Sequence, residues 1–319
     1  MQPRLPRGAR AAVFQPNKRK LSKVMFGDSR RWKVMHVAQA LARHVAALLI
    51  MVAASIAHAG DRVTFEASRG YTAPHVILHA DLSKPEGDGP FPAVVLMHGC
   101  GGWQPAVRYT MNAYADFLVA KGFVVLNLDS FGPRNLGGGK VCEDVDRQVD
   151  ALDYRTHDAQ DALGYLQARA FVDPASVFLM GQSNGGSVAI NVARGDGPHG
   201  NAGGNGGYRG VVAFYPWCGS FDRRPVRLAA PLLVLSGSED DWTPARDCEG
   251  VRSTGARLQF VVYPQAAHSF DLEMLPTRYL GKLVGKNQRA ADDSRQRMLA
   301  FFIEHSRAGG AAPANVAKK

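Results

Sequence analysis

The chain has 319 residues, of which 46% are hydrophobic and 21% are charged, a composition typical of globular proteins. Its formal charge at pH 7 is +10, but residues 1–59 contain 11 of the 38 Lys and Arg residues and a single acid, Asp28. The remaining residues are neutral overall, so the charge gives no reason to expect nucleic acid as a partner of the folded part.

An export signal is predicted over residues 35–59. Its apolar core, residues 45–57, follows two basic residues and ends at Ala57-His58-Ala59, which supplies small residues at −3 and −1 of a cleavage site. A run of about 13 apolar residues is shorter than the roughly 20 that span a bilayer, which disfavours a membrane anchor. We therefore expect cleavage before Gly60 and a periplasmic or secreted protein that does not bind the membrane afterwards.

The first 34 residues are interpreted as a basic N-terminal extension. Met35 would begin a signal of ordinary length, which suggests a misplaced start codon upstream. The alternative is that Ser29-Arg30-Arg31-Trp32, which partly resembles a twin-arginine export signal, belongs to the leader.

The rest of the chain, residues 60–319, alternates apolar segments with helical patterns. Eight segments are predicted strands, at 62–67, 75–80, 93–98, 123–129, 177–181, 211–215, 232–236 and 258–263. Helices are predicted at about 106–121, 147–171, 184–194, 244–254 and 290–306. Almost continuously apolar strands between helices predict an α/β domain with one doubly wound, mostly parallel sheet, opened by an antiparallel pair. From about residue 308 the tail is predicted to be disordered.

Four cysteines follow the predicted cleavage site: Cys100, Cys142, Cys218 and Cys248. An even number in an exported chain permits disulfides, and the three possible pairings are equally open at this point. We expect at least one bridge between loops at the rim of the active site. No C-x-x-C spacing is present, so we predict neither a zinc site nor any other metal site.

A nucleophilic serine is predicted at Ser183. Gly181-Gln-Ser-Asn-Gly185 fits G-x-S-x-G, directly follows an apolar strand and opens a helical segment. This strand–turn–helix context is the one in which a serine hydroxyl is exposed at the edge of a sheet beside a helix N-terminus. The alternative is an ordinary tight turn that happens to contain serine.

A serine nucleophile needs a base and an acid, which follow it in the chain in this kind of fold. His268 is favoured as the base because it directly follows the last strand, whereas His199 lies in a glycine-rich loop and His305 in a terminal helix. Asp240 is favoured as the acid because it follows a strand within G-x-x-D-x-x-x-P, and neighbouring Asp241 is the alternative.

Two backbone N–H groups are predicted to form an oxyanion hole. One is that of Asn184, directly after the nucleophile. The second is assigned to Cys100, with Gly101 as the alternative, in the glycine-rich loop after the strand 93–98. His98 precedes this loop and is interpreted as an organiser of it.

Together these segments resemble the dienelactone hydrolase family over about residues 75–305. The motifs are His98-Gly-Cys-Gly-Gly102, Asp129-Ser-Phe-Gly-Pro-Arg134, Gly181-Gln-Ser-Asn-Gly-Gly186, Asp240-Asp-Trp-Thr-Pro244 and Ala267-His-Ser-Phe-Asp271. The resemblance implies an α/β-hydrolase fold, no metal or other cofactor, and hydrolysis of a small-molecule ester or lactone. Dienelactone hydrolases proper use a cysteine nucleophile, whereas this chain has Ser183, so the resemblance supports hydrolysis better than it supports a dienelactone substrate.

Substrate contacts are predicted from the same loops. Arg134 is a candidate for contacting an anionic group, and Trp103, Trp217 and Trp242, with Phe131, are candidates for an apolar pocket. The predicted function is an ester or lactone hydrolase that forms an acyl-enzyme. The alternatives are a peptidase or amidase with the same triad, and a binding protein of this fold without catalysis.

Overall fold

The computed structural model of the chain describes residues 60–68, 76–195, 206–219 and 225–306. The predicted extension, signal peptide and C-terminal tail, together with His199, lie outside the described residues. Within the described ranges, no helix is both long and apolar enough to cross a bilayer.

An eight-stranded sheet forms the centre of the fold. The strands, in chain order, are β1 (Asp61–Glu66), β2 (Ile77–Ser83), β3 (Phe91–Met97), β4 (Val124–Asp129), β5 (Val172–Gln182), β6 (Gly210–Phe214), β7 (Val226–Leu228), β8 (Leu232–Gly237), β9 (Ser253–Gly255), β10 (Leu258–Tyr263), β11 (Thr277–Tyr279) and β12 (Lys282–Val284). The central sheet has the order β1-β2-β4-β3-β5-β6-β8-β10. β1 and β2 are antiparallel to their neighbours. The other six strands of this sheet, β4, β3, β5, β6, β8 and β10, run parallel to one another.

Helices cover both faces of this sheet. They are α1 (Pro105–Val119), α2 (Val145–Gln167), α3 (Asn184–Ala193), α4 (Arg246–Glu249) and α5 (Gln288–His305), with a short 3₁₀ turn at Gly132–Arg134. Local chemistry favours the start of two of these helices. Pro105 occupies the first turn of α1, where its missing N–H costs nothing, and the Asp144 carboxylate caps α2 by accepting the Arg147 N–H at 3.2 Å.

The alternation of side chains along β3 divides the core into two layers. Ala93, Val95 and Met97 pack on the face covered by α2 and α3, whereas Val94 and Leu96 pack on the face covered by α1 and α5. Strands buried on both faces explain the continuous apolar runs in the sequence. The fold is therefore the predicted doubly wound, mostly parallel α/β sheet with an antiparallel opening pair.

One predicted helix is wrong. The segment 244–254 contains only the four-residue α4, because the chain leaves the helix at Gly250 and then forms β9. β9 pairs with β7 in a small parallel sheet, and β11 pairs with β12 in a small antiparallel one. Neither small sheet was predicted, since strands of three residues carry too little alternation to be recognised.

Two disulfides connect segments that are distant in sequence. Cys100 is bonded to Cys142, and Cys218 to Cys248, with sequence separations of 42 and 30 residues. The prediction that at least one bridge would hold loops at the active-site rim agrees with the first of these, whose two cysteines line the cavity described below.

The Cys218–Cys248 bridge closes a loop of the 30-residue size for which cross-linking of the unfolded chain stabilises a protein by about 3–4 kcal/mol. We expect the double substitution Cys218→Ala with Cys248→Ala to lower the free energy of unfolding by about this amount. Guanidinium unfolding under non-reducing conditions measures it. Dithiothreitol should move the wild-type midpoint towards that of the variant, and an unchanged midpoint in the variant would contradict the prediction.

Candidate active site

Ser183 lies at a strained turn between β5 and α3. Its backbone has φ 52° and ψ −117°, a region that residues with a Cβ rarely adopt. The turn is held by the Ser183 N–H, which donates to Phe214 O at 2.9 Å, and by the Ser187 N–H, which donates to Ser183 O at 2.9 Å. A Cβ at Gly181 would collide with the Gly185 carbonyl, so the sequence keeps glycine where strand and helix approach each other.

His268 stands directly beside this serine. It follows β10, is 2% exposed, and its Nε2 lies 2.9 Å from Ser183 Oγ. The ring is fixed between two aromatic side chains: Trp242 at 5.2 Å and Tyr215 at 4.7 Å, both between ring centroids. His305, the other described candidate, is bonded to Phe301 O within α5 through its Nδ1 at 2.8 Å.

Asp240 lies on the far side of the imidazole. Its Oδ2 is 2.7 Å from His268 Nδ1, and its Oδ1 accepts the Trp242 and Thr243 N–H groups at 2.9 and 2.8 Å. Neighbouring Asp241 points elsewhere, because its carboxylate accepts the Leu283 N–H at 2.8 Å on the β11–β12 hairpin. The structure thus joins Ser183, His268 and Asp240 in one hydrogen-bonded row and leaves Asp241 outside it.

The two segments predicted to form an oxyanion hole meet at Ser183. Asn184 is the first residue of α3, and its N–H points out of the helix end, since first-turn N–H groups have no partner within a helix. The Gly99–Cys100 loop approaches from β3: a Cβ added to Gly99 would lie 3.2 Å from the Ser183 Cβ. His98 at the start of this loop is fully buried, with its Nδ1 2.7 Å from Gly99 O, and burial lowers its pKa.

A buried carboxylate, that of Asp271, anchors the residue directly before Ser183. Asp271 is fully buried and accepts hydrogen bonds from Tyr215 Oη at 2.6 Å, Gln182 Nε2 at 2.7 Å and Tyr114 Oη at 2.9 Å. Burial raises the pKa of Asp271, against the lowering effect of these three donors. The network fixes Gln182, directly before Ser183, and the Tyr215 ring that packs on His268.

Two cavities meet at Ser183 and Trp242. The larger, of about 270 Å³, has an apolar wall formed by α2 and Trp217, including Val149 and Leu152. The smaller, of about 130 Å³, is lined by His268, the Gly99–Cys100 loop and the segment around Met274. No Lys or Arg side chain among the described residues lines either cavity.

Two predicted substrate contacts are directed elsewhere. The guanidinium of Arg134 forms two hydrogen bonds with the Asp158 carboxylate, at 2.8 and 2.9 Å, and lies 4.4 Å from the Tyr154 ring centroid. Trp103 is packed beneath the guanidinium groups of Arg62 and Arg108. Neither Arg134 nor Trp103 lines either of these two cavities, and each is engaged with neighbouring side chains, whereas Trp217 and Trp242 do line them.

Three polar residues near Ser183 were not predicted. Thr243 Oγ1 lies 2.9 Å from Asp240 Oδ2 and 2.9 Å from Tyr215 O. Asp271 was noted only as part of a motif. Arg155 is buried beside the Ser183 turn. It lies four residues after Ala151 and four before Ala159 on the buried face of α2, and this spacing was the available signal.

The sequence model of the dienelactone hydrolase family matches residues 78–306 of this chain. Among solved structures, the dienelactone hydrolase of Anabaena variabilis is similar with a TM-score of 0.52 and 19% identity, covering 78% of this chain and 100% of that one. The native esterase of the Planctomycetes species Thermogutta terrifontis is similar with a TM-score of 0.53 and 16% identity, over 82% and 96% of the two chains. These likenesses concern the fold.

Curated relatives match over a shorter segment. The Yersinia pestis protein named "Putative carboxymethylenebutenolidase" is 32% identical over 84 residues, which are 25% of this chain and 28% of the relative. The Escherichia coli K12 protein of the same name is 30% identical over 91 residues, 26% of this chain and 31% of the relative. The matched segments therefore span less than a third of the length of each relative.

Proposed function

The chain belongs to the dienelactone hydrolase family, and we propose that it hydrolyses a carboxylic ester or lactone through an acyl-enzyme on Ser183. The observation that carries the proposal is the hydrogen-bonded row Ser183–His268–Asp240 at the junction of two cavities. A serine hydroxyl becomes nucleophilic only when a base is held in this way. Esterase and dienelactone hydrolase folds among the similar structures agree with this chemistry.

In the proposed reaction, His268 Nε2 takes the proton of Ser183 Oγ as that oxygen bonds to the substrate carbonyl carbon. The electron pair of the C=O bond moves onto its oxygen, where the N–H groups of Asn184 and Cys100 donate to it. Collapse of this intermediate breaks the bond to the alcohol oxygen, which receives the proton from His268. Water then attacks the acyl carbon while His268 takes its proton. The bond from that carbon to Ser183 Oγ breaks, His268 returns the proton to Oγ, and the carboxylic acid leaves. Asp240 stabilises the protonated imidazole and fixes its tautomer.

The two cavities suggest where the acyl and alcohol groups of the substrate bind. His268 must protonate the leaving oxygen, and it lines only the smaller cavity, so the alcohol group is assigned to that side. The acyl group then extends into the larger cavity along Val149 and Leu152. Val149, Leu152 and Trp217 give the larger cavity an apolar wall, and the substrate class that fits it is an ester or lactone with an uncharged acyl group.

We also propose that the protein is exported and cleaved before Gly60. Two disulfides within the described residues support an oxidising compartment, since such bonds rarely persist in the cytosol. N-terminal sequencing of the protein recovered from its producing cells is expected to begin at Gly60. A mature chain that retains residues 35–59 would contradict the proposal.

Substitution of Ser183 by Ala is expected to lower kcat for p-nitrophenyl butyrate by about 10⁵- to 10⁶-fold, because the acyl-enzyme can no longer form. Asp240→Asn should lower kcat by about 10²- to 10⁴-fold, since the amide stabilises the wrong imidazole tautomer. Both are measured by steady-state kinetics on the chain from Gly60, prepared under oxidising conditions.

Asp241→Asn is the matched control, because its carboxylate is one residue away and contacts the β11–β12 hairpin instead of His268. We expect its kcat to stay within about threefold of wild type. Hydrolysis that survives Ser183→Ala in a folded protein, or equal losses from Asp240→Asn and Asp241→Asn, would refute the assignment.

Val149→Trp is expected to reduce the ratio of kcat/KM for p-nitrophenyl octanoate over p-nitrophenyl acetate by about tenfold, because the indole would fill the larger cavity. Met274→Trp is the reciprocal variant in the smaller cavity. It should leave that ratio unchanged and instead lower the preference for 2-naphthyl acetate over methyl acetate. The opposite pattern would reverse the assignment of acyl and alcohol sides.

A further inference from the structure

Arg155 is a buried cation in the middle of α2. Its side chain has no exposed surface and is the largest fully buried side chain among the described residues. Burial lowers its pKa to about 10, so the guanidinium is still protonated at neutral pH. Taking a charge out of water is costly unless a specific arrangement compensates for it, so the contacts of this residue need an explanation.

Those contacts are with the two segments that flank Ser183. Nη1 donates to Asn184 Oδ1 at 2.7 Å, and Nη2 donates to His98 O, also at 2.7 Å. The guanidinium carbon lies 4.6 Å from the centroid of the Phe131 ring. Both acceptors are uncharged oxygens, so these hydrogen bonds orient the guanidinium. The buried Asp158 and Asp129 carboxylates favour its charged form through space.

Each acceptor belongs to one half of the proposed oxyanion hole. Asn184 supplies one N–H, and its side chain is held twice: Oδ1 by Arg155, and Nδ2 through its donation to Gln148 O at 2.9 Å. His98 O belongs to the peptide that leads into Gly99 and Cys100, whose N–H is the other donor. One planar group with rigidly spaced donors therefore spans both halves, a geometry that the single ammonium group of lysine cannot reproduce.

We propose that Arg155 is a positioning residue for the oxyanion hole, which fixes the Asn184 and Cys100 N–H groups relative to each other. This inference rests on the proposed serine hydrolase mechanism. Donors held at a fixed separation stabilise an anion that forms only in the transition state. A purely structural role would instead require Arg155 for folding alone.

The two roles predict different kinetics. Because the oxyanion exists only after attack, loss of Arg155 should lower kcat and leave KM nearly unchanged. For Arg155→Met we expect kcat for p-nitrophenyl butyrate to fall by about 10²-fold, the effect of removing or misplacing one oxyanion donor. Arg155→Lys keeps the charge and one tether, so it should recover part of the loss.

Tyr208→Phe is the matched control. The buried Tyr208 hydroxyl donates to Ala159 O, one turn further along α2, at 2.5 Å. Its removal should lower the Tm through the same helix while leaving kcat unchanged. Measuring Tm, kcat and KM for these variants separates loss of stability from loss of transition-state stabilisation.

A folded Arg155→Met protein with kcat within about threefold of wild type would overturn the inference, and so would a matching fall in kcat in Tyr208→Phe. If Arg155→Met does not fold, the same kinetics on Arg155→Lys and Asn184→Ala decide, because each removes one tether and keeps the residue-184 N–H. Unchanged kcat in both overturns the inference. Ser183→Ala separates the two proposals: residual hydrolysis there refutes the serine mechanism itself, whatever Arg155 does.

Discussion

The strained turn at Ser183 is the constraint around which the rest of the site is built. A residue with φ 52° and ψ −117° is held here where β5 and α3 nearly touch, and that approach leaves no space for a Cβ at Gly181. A Cβ at Gly185 would collide instead with the Met97 and His98 carbonyls at the end of β3. The turn places the hydroxyl at the carboxyl edge of the sheet, where the loops after β3, β8 and β10 begin. Because these strands are parallel, Ser183, His268, Asp240 and the Gly99–Cys100 loop all lie at the same edge of the sheet.

Helix α2 is hydrogen-bonded to the Ser183 turn and to the loop after β3. Gln148 O accepts from Asn184 Nδ2, and Gln148 Nε2 donates to Cys142 O at 3.2 Å. One turn further along, Leu152 forms part of the larger cavity, and Arg155 follows beside the Ser183 turn. A single helix thus contacts the larger cavity, the Ser183 turn and the start of the Gly99–Cys100 loop. Small shifts of α2 would therefore affect all three at once.

The sequence was sufficient for the eight-stranded sheet and for the position of Ser183 between a strand and a helix, because both follow from local patterns. Strands buried on both faces appear in the sequence as apolar runs. G-x-S-x-G between a strand and a helix indicates a tight strand–turn–helix connection that exposes the serine. The pairing of the cysteines and the inward orientation of Arg134 could not be predicted, since both depend on which loops become neighbours in space. Arg155 carried a signal in its spacing of four residues from Ala151 and Ala159 on one helix face, but its acceptors are 57 and 29 residues away in sequence.

In the proposed mechanism, serine is a nucleophile that is compatible with a cavity lined by a disulfide. Cys100 and Cys142 line the same cavity as Ser183, and Gly99 brings their loop against the serine. A cysteine at position 183, as in dienelactone hydrolases proper, would be activated by His268 as a thiolate, and thiolates attack nearby disulfides. Such an enzyme would exchange sulfur partners and lose its nucleophile in a mixed disulfide. A serine hydroxyl does not undergo this exchange. A serine at position 183 therefore leaves the Cys100–Cys142 disulfide intact beside the proposed reaction site.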